Sequence, residues 1–352
     1  MASLYRKLFI SSHQLSGRVQ RLVGGLVLLF GIAAVIGANW SPNYLEFWNS
    51  TMGLGHLSRK EFVDEVLMSL FFFAAGLEIR HEFTHGSLRS KKQRRLPLIC
   101  ALGGMLLPIT LMASWGALTH YMPWTEASPI FHALPVPVAT DTVFALALLS
   151  FFSKKIPAEL RTFILAFVVI DDIGGLMMLS GLEGKISPTI VAVICGFFLP
   201  EKIRGYKIRK KLLTHLTVIV SFLVLPLFAL ANAGVSFEGL TISALISAPL
   251  FWAIISSQTI GKMVGVYYSA KFSVSKGWAV LPRHCNFRHM FIGASVAGIG
   301  FTLSLYLVEA ALDETDPMSV IAKVAVVCAT IIATSVAAFA AKGAPDLKKH
   351  AS

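Results

Sequence analysis

The chain has 352 residues, of which 55% are hydrophobic and only 14% charged, and its net charge at pH 7 is +12. A soluble domain carries about 25% charged residues because its surface must be wetted. The composition therefore excludes a disordered or coiled-coil chain and argues against a soluble enzyme. The positive charge keeps nucleic-acid binding open until the basic residues are placed along the chain.

Apolar runs recur along the whole chain. The hydrocarbon core of a bilayer is about 30 Å thick, and roughly 20 mostly apolar residues in a helix cross it. Because the connections between runs are too short for a soluble domain, residues 1–352 are predicted to form one all-α polytopic membrane domain. Ten runs are predicted as transmembrane helices, at 22–38, 62–79, 96–118, 132–152, 160–180, 187–200, 214–233, 242–269, 289–308 and 318–341.

The basic residues fall on one side of these runs. If the N-terminus is cytoplasmic, 26 of the 31 Lys and Arg residues lie in cytoplasmic segments. Arg59, Lys60 and Lys185 lie on the other side, and Lys262 and Lys323 lie within spans. This positive-inside bias predicts cytoplasmic N- and C-termini and an even number of spans. It also accounts for the net charge, so the predicted partner is the lipid bilayer and not nucleic acid.

Two spans contain helix-breaking residues. Pro135 and Pro137 interrupt the fourth span, and Gly298 and Gly300 interrupt the ninth. Proline removes a backbone donor and clashes with the preceding turn, whereas glycine frees the backbone to unwind. Either span by itself is compatible with a simple kink.

Each interrupted span is the middle one of three, in segments 96–180 and 242–341. Paired breaks at corresponding positions favour an inverted-repeat transporter fold, in which two discontinuous helices cross near mid-membrane. The remaining spans, in segments 22–79 and 187–233, are predicted to be scaffold and interface helices.

Asp141, Asp171, Asp172 and Lys262 lie deep within apolar runs. A charge there costs about 2.5–3.5 kcal/mol on insertion scales, and such residues mark ion pathways. Asp171 and Asp172 are adjacent, so their side chains diverge by about 100° around the helix, and one can face a cavity while the other reaches a neighbour such as Lys262. Carboxylates bind small cations or protons, and close carboxylates raise one another's proton affinity. These residues predict a cation and proton site at Asp171 and Asp172, with Lys262 as counter-ion, or else a buried ion pair that only holds helices together.

Two further groups of residues are candidates. Thr140 and Asp141 directly follow the proline-rich break, where a carboxylate would complement the N-terminal end of a half-helix, so that Asp141 could cap the helix, bind an ion, or do both. Glu78 and Glu82 close the second span on the cytoplasmic side, as an interfacial salt-bridge cluster or a pH-responsive mouth.

Six sequence motifs resemble the signatures of the bacterial NhaA-type sodium–proton antiporters, in the order of that family and over roughly residues 20–340. They are GLEIRHE (76–82), ATDTVFA (139–145), IDDIG (170–174), LFALANAGV (227–235), IGK (260–262) and GIGFT (298–302).

The resemblance implies a secondary antiporter of the bacterial inner membrane, not an enzyme, which exports Na⁺ or Li⁺ in exchange for protons and so regulates cytoplasmic pH and sodium. It implies no cofactor. Asp172 would be the main Na⁺-binding carboxylate and Asp171 the second, paired with Lys262 when no cation is bound. Thr140 and Asp141 would lie where the two broken helices cross, with Asp141 and Lys262 balancing the dipole ends of the helices.

By the same resemblance, Glu78 and Glu82 belong to a cytoplasmic pH-responsive cluster, and region 41–58 serves a homodimer contact. One departure concerns length. The family has about twelve spans and this chain has ten, and the shortfall lies between Asp172 and the span 187–200. One helix pair is therefore predicted to be absent.

Two alternatives remain. A homologue that lacks the helix pair could fold without transporting ions. An intramembrane aspartyl hydrolase would use Asp141 and Asp172 as a dyad that shares a proton and activates water. The GxGD signature of such proteases is absent from this sequence.

Overall fold

The computed structural model describes residues 16–41, 43–53, 57–84, 91–119, 129–184, 188–201, 208–237, 241–312, 316–345 and 347. Within these ranges the chain is helical and contains no β-strand, apart from one antiparallel bridge between Thr51 and Ser58. The α-helices in chain order are α1 (Gly17–Trp40), α2 (Asn43–Asn49), α3 (Arg59–Glu61), α4 (Met68–Thr84), α5 (Lys91–Leu118), α6 (Pro129–His132), α7 (Thr142–Phe151), α8 (Ala158–Glu183), α9 (Pro188–Phe198), α10 (Ile208–Ile219), α11 (Leu225–Asn232), α12 (Ile242–Ser247), α13 (Pro249–Ser256), α14 (Lys262–Ser275), α15 (Phe287–Ala297), α16 (Phe301–Ala311) and α17 (Pro317–Lys342).

Three π-helical turns join neighbouring helices into longer rods. Phe62–Leu67 joins α3 to α4, Val220–Val224 joins α10 to α11, and Ser257–Gly261 joins α13 to α14. A π-helical turn adds a residue to the helix and re-aims the side chains around it, which is why such turns are frequent at functional sites.

The described residues confirm an all-α polytopic membrane protein. Six described stretches are candidate membrane spans by themselves. Helices α15 and α16, which are bent by 40° at the break between them, together form a seventh candidate among the described residues. The other predicted spans correspond to 59–84, 188–198 and 249–275, which are helical but shorter or interrupted by π-helical turns. The total of ten spans therefore stays a prediction. The six described stretches that are by themselves long and apolar enough to cross a membrane are Gly17–Trp40, Arg94–Leu118, Pro129–Phe151, Ala158–Leu182, Ile208–Asn232 and Pro317–Lys342.

One predicted boundary is wrong. The sequence predicts a continuous span over 242–269, but α12 ends at Ser247 and a new helix begins at Pro249. Ala248 between them is extended, with φ −77° and ψ 118°. Proline disfavours the helical region for the residue that precedes it, so a helix boundary before Pro249 follows from local sterics.

Large apolar side chains are exposed in rows along several helices. This arrangement is unfavourable in water and favourable against lipid tails, so it fits helices that face a bilayer. Examples are Leu22, Leu29, Ile32 and Ile36 on α1, Leu98, Leu102 and Leu106 on α5, and Ile331, Ile332 and Phe339 on α17.

The described chain divides into two compact units, the first of which spans Met1–Thr84 and Lys185–Phe237. Its tightest packing is between α4 and α9. A Cβ added at Gly76 of α4 would collide with the carbonyl of Val193, and one added at Gly196 of α9 would collide with the carbonyl of Phe73. Glycine at both positions lets the two backbones touch, as small residues do between membrane helices.

The second unit spans His85–Gly184 and Glu238–Ser352 and contains Thr140, Asp141, Asp171, Asp172 and Lys262. Helix α8 is among the most enclosed parts of this unit: 67% of its membrane-length stretch is buried, as for Pro129–Phe151, against 39% for α17. Because α8 is enclosed by neighbouring helices, the two aspartates on it can be held away from lipid.

Candidate functional site

The fourth predicted span is a discontinuous helix. The chain leaves α6 at His132, forms a 3₁₀ turn at Val136–Val138, and becomes extended at Ala139, with φ −72° and ψ 147°. Helix α7 then starts at Thr142. The two prolines account for this course, because a proline inside a helix removes a hydrogen-bond donor and clashes with the preceding turn.

The ninth predicted span is discontinuous as well. Helix α15 ends at Ala297, Gly298–Gly300 form the break, and α16 begins at Phe301. Gly300 is required by close approach, since an added Cβ would lie 2.9 Å from the carbonyl oxygen of Ala139 and 2.6 Å from Nε2 of Gln258. Gly300 therefore lies where the two interrupted segments meet, and Gly298 lies against the backbone carbonyl of Gln258.

Hydrogen bonds between the two breaks join them directly. The backbone N–H of Asp141 donates to the carbonyl of Ile299 at 2.6 Å. The Ser304 hydroxyl donates to the carbonyl of Val136 at 2.9 Å. Backbone groups that lost their helical partners at each break are thus satisfied by the other segment, as groups buried away from water must be.

Asp141 caps two helix N-termini at once. Its Oδ1 accepts hydrogen bonds from the backbone N–H groups of Val143 and Phe144, both at 3.0 Å, at the start of α7. Its Oδ2 accepts from the backbone N–H of Thr302 at 2.9 Å and from the hydroxyl of the same residue at 2.5 Å, at the start of α16. A carboxylate there compensates the positive ends of both half-helices.

Lys262 lies at the opposite, carbonyl end of the first broken segment. Its ammonium donates to the carbonyl of Val138 and to Asp171 Oδ2, the latter at 2.5 Å. The Lys262 and Asp171 side chains are both fully buried. The Thr140 hydroxyl lies 2.8 Å from the same carboxylate oxygen and 2.8 Å from the carbonyl of Ala297. Asp171 therefore contacts the fourth span through Thr140, and the Thr140 hydroxyl in turn lies within hydrogen-bond distance of the ninth span.

Asp172, on α8 beside Asp171, is 3% exposed and lies close enough to Asp141, Asp171 and Lys262 to interact with their charges. In the described part of the chain, Oδ1 of Asp171 and Oδ1 of Asp172 have no hydrogen-bond partner. A buried oxygen without a partner costs about 1–3 kcal/mol, and more when the group is charged. Two such oxygens in one cluster are free to bind a proton or a cation.

The structure thus brings together seven of the nine residues that the sequence singled out. The exceptions, Glu78 and Glu82, lie on α4 in the other compact unit. The Glu82 side chain is buried, and Arg80 of the same helix lies over the ring of Phe197, 5.4 Å from its centroid. A role for Glu78 and Glu82 in pH response stays a prediction.

Sequence reasoning missed Gln258 and the roles of Thr302 and Ser304. All three are buried polar residues at the crossing. The available signal was a polar side chain within an apolar run. Single Ser and Thr residues are too frequent in membrane helices to be informative, because they can bond to their own helix, but a glutamine is rarer there.

Within the described ranges, no group of three or more His, Cys, Asp and Glu side chains is arranged to hold a metal ion. The predicted Na⁺ site is thus at most a two-carboxylate site supplemented by other oxygen atoms. Buried oxygens suit small hard cations better than transition metals.

Fold and site together define a helical membrane protein built around two crossed discontinuous helices, with acidic and basic side chains buried at the crossing. The sequence profile of the family described as Na⁺/H⁺ antiporter 1 matches residues 17–182 and 176–340. The chain belongs to this family.

Named relatives agree with this assignment. The Na⁺/H⁺ antiporter NhaA of Haemophilus influenzae (strain PittGG) is 32% identical over 355 positions, which cover 84% of this chain and 86% of the relative. The Na⁺/H⁺ antiporter NhaA 1 of Mycobacterium sp. (strain JLS) is 28% identical over 395 positions, which cover 88% of this chain. Both are named as antiporters and not as enzymes, as the sequence predicted for this chain.

The chain is shorter than these relatives. It spans 63% of the length of the Mycobacterium protein. An alignment of 355 positions that covers only 84% of a 352-residue chain leaves positions of the Haemophilus protein without a counterpart here. The two segments matched by the family profile overlap at residues 176–182. The positions without a counterpart and the place where the profile match divides both agree with the predicted loss of a helix pair after Asp172.

Proposed function

We propose that this protein is a secondary antiporter that exchanges Na⁺ or Li⁺ for protons across the bacterial inner membrane, and so regulates cytoplasmic pH and sodium. The observation that carries the proposal is the buried ion pair between Asp171 and Lys262 beside the partnerless oxygen of Asp172, at the crossing of two broken helices. Intramembrane ionisable residues at such a crossing mark ion pathways in transporters.

Charge accounting supports one site used alternately by cations and protons. The carboxylates of Asp171 and Asp172 and the ammonium of Lys262 together carry one net negative charge, so the cluster is one positive charge short of neutrality. One Na⁺ restores neutrality, and so does one proton, but a low-dielectric interior disfavours holding both together. Competition for the same carboxylates is what couples the two ions.

Lys262 acts as the internal counter-ion. Its contact with Asp171 stabilises the carboxylate when no cation is bound, and its contact with the Val138 carbonyl keeps the ammonium in place at the helix end. A cation that binds Asp171 and Asp172 therefore competes with Lys262. Asp172 has no such ammonium contact among the described residues, which favours it as the main cation ligand.

The test is Na⁺-triggered proton release in everted membrane vesicles or proteoliposomes, measured with Na⁺, Li⁺ and K⁺ at several pH values. Asp172→Asn keeps the size of the side chain and removes its charge, so we expect it to abolish exchange. The matched control is Asp316→Asn, the same change at the N-cap of α17, where the carboxylate accepts from the Met318 backbone N–H at 2.8 Å.

The outcomes separate the alternatives. Wild-type exchange that disappears in Asp172→Asn and persists in Asp316→Asn supports the antiporter. A folded wild-type protein without exchange points to a homologue that no longer transports. Exchange that persists in Asp172→Asn contradicts the role given to this carboxylate.

The same proposal includes the finer points of location and assembly. We place the N- and C-termini in the cytoplasm, from the distribution of basic residues; residues 1–15 and 348–352 lie outside the described residues. We also propose region 41–58 as a homodimer contact, although Pro42 and residues 54–56 lie outside the description. In the rest of the region, α2 and the bridge from Thr51 to Ser58 form a small folded element.

A further inference from the structure

Gln258 lies at the crossing of the broken helices and has no part in the exchange described so far. It is fully buried within the π-helical turn Ser257–Gly261 and lies four residues before Lys262. Its Nε2 donates to the carbonyl of Gly298 at 3.3 Å. One rod of helix therefore contacts the break of the ninth span through Gln258 and the break of the fourth span through Lys262.

The position of the amide group is set by its surroundings. A Cβ atom added at Gly300 would lie 2.6 Å from Gln258 Nε2 and 2.9 Å from the carbonyl oxygen of Ala139. The amide is therefore beside the point at which the two interrupted segments pass each other. In an amide the oxygen is covalently tied to the same carbon as the nitrogen, so Gln258 Oε1 lies at this crossing too.

That oxygen has no partner. Among the described residues, Gln258 Oε1 is a buried atom without any hydrogen bond, like Oδ1 of Asp171 and Oδ1 of Asp172. Burying an amide oxygen without a partner costs about 1–3 kcal/mol, whereas an apolar side chain of the same size would cost nothing of the kind. Gln258 contacts Gly298, and Asp171 contacts Thr140, whose hydroxyl also lies 2.8 Å from the Ala297 carbonyl, so these unpartnered oxygens belong to one crossing. A small cation is the kind of ligand that oxygens of this type bind.

Amide carbonyl oxygens are hard, neutral ligands for small cations. A neutral ligand strengthens cation binding without adding a titratable group, so it changes the affinity for Na⁺ but leaves the proton count of the site unchanged. We propose that Gln258 is a further ligand of the transported cation, holding the Gly298 carbonyl with its amide nitrogen and offering its amide oxygen to a dehydrated Na⁺ or Li⁺. This inference rests on the proposed function and adds a specificity-determining residue to it.

The test is isothermal titration calorimetry of the purified protein with NaCl and with LiCl at alkaline pH. This measurement of cation affinity does not depend on transport. Gln258→Met keeps the length of the side chain and removes both polar atoms. We expect it to weaken Na⁺ binding about tenfold, a loss of about 1.4 kcal/mol, and to change the ratio of Na⁺ to Li⁺ affinity. Gln258→Glu keeps an oxygen at the same place, so we expect Na⁺ affinity at least equal to that of the wild type, with a steeper dependence on pH.

The matched control is Ser273→Ala on α14, which removes another fully buried polar group that is bonded to its own helix through the Ala270 carbonyl. Its Na⁺ affinity should equal that of the wild type. If Gln258→Met binds Na⁺ and Li⁺ as tightly as the wild type does, the inference is overturned, even when the thermal stability of the variant falls, because Gln258 would then be structural only.

If the wild type binds cations and Asp172→Asn binds them equally well, the proposed function is overturned instead. If the wild type binds neither ion, both are overturned.

Discussion

Replacing Asp141 by Asn tests whether the crossing of the broken helices depends on one carboxylate. The change keeps the shape of the side chain but removes its charge and turns one acceptor oxygen into an NH₂ donor. Asp141 accepts four hydrogen bonds, from the start of α7 through Oδ1 and from Thr302 through Oδ2.

The expected loss follows from these contacts. If the amide oxygen of Asn stays on the α7 side, its NH₂ group faces the backbone N–H of Thr302, and that buried donor is left without a partner at a cost of about 1–3 kcal/mol. The Thr302 hydroxyl can turn and accept from the new NH₂ group. The bonds on the α7 side remain, but they lose the contribution of the charge, and compensation of two helix dipoles is lost, worth about 0.3–1 kcal/mol each. Together we expect the variant to be destabilised by about 3 kcal/mol.

Thermal unfolding in detergent, followed by tryptophan fluorescence, measures the effect. At roughly 2 °C per kcal/mol for a large chain, the midpoint should fall by about 6 °C. The control is again Asp316→Asn, at the N-cap of α17, since Asn and Asp are about equally good N-caps where solvent can reach. The control midpoint should stay within about 1 °C of the wild type.

Two results would contradict this reasoning. Equal shifts in the two variants would mean that the cost belongs to helix capping in general and not to the crossing. An unchanged midpoint in Asp141→Asn would mean that the carboxylate is neutral in the folded protein, so that neither charge nor acceptor count matters there.

Three further predictions concern the charge pair, the break and a helix start. Lys262→Met should destabilise the protein by about 3–5 kcal/mol, because it leaves the carboxylate of Asp171 buried without a counter-charge, and adding Asp171→Asn should recover most of that loss; a double variant no more stable than the single one would contradict the pairing. Gly300→Ala should cost about 1–3 kcal/mol through overpacking, whereas Gly181→Ala on α8, where an added Cβ meets nothing within 4 Å, should be neutral or stabilising; equal midpoints would refute the close approach. Hydrogen bonds from the N-cap residue Ser58 lower the pKa of Glu61. The charged carboxylate therefore adds stability above its unfolded pKa, and this contribution is lost as the pH falls through the folded pKa. The difference in unfolding midpoint between the wild type and Glu61→Gln should accordingly be largest near neutral pH and vanish in acid.

Much of the site could be predicted because the signals are local. A charge within an apolar run is costly wherever the run packs, so Asp141, Asp171, Asp172 and Lys262 stand out from hydropathy alone. Prolines break a helix through their own covalent ring, so the course of the fourth span could be predicted from Pro135 onwards.

Other features could not be predicted, because they depend on which segments meet. Asp171 and Lys262 pair across 91 positions of sequence, and Thr302 reaches Asp141 across 161. No local pattern specifies that a glutamine amide oxygen is left without a partner. Nor does one specify that a Cβ at Gly300 would touch both Gln258 and Ala139.

The sequence by itself determined that this is a membrane protein, which buried charges raise the free energy of insertion, and where two helices break. Apolar length, charge and proline geometry act residue by residue, so these properties can be read from the chain. The tertiary structure alone decided how those residues are used. Packing places one carboxylate against two helix N-termini and one ammonium against a helix carbonyl end. It also places a second carboxylate against that ammonium, with both side chains fully buried. Such pairings are set by the summed packing of helices far apart in the chain, and no single stretch of sequence contains them.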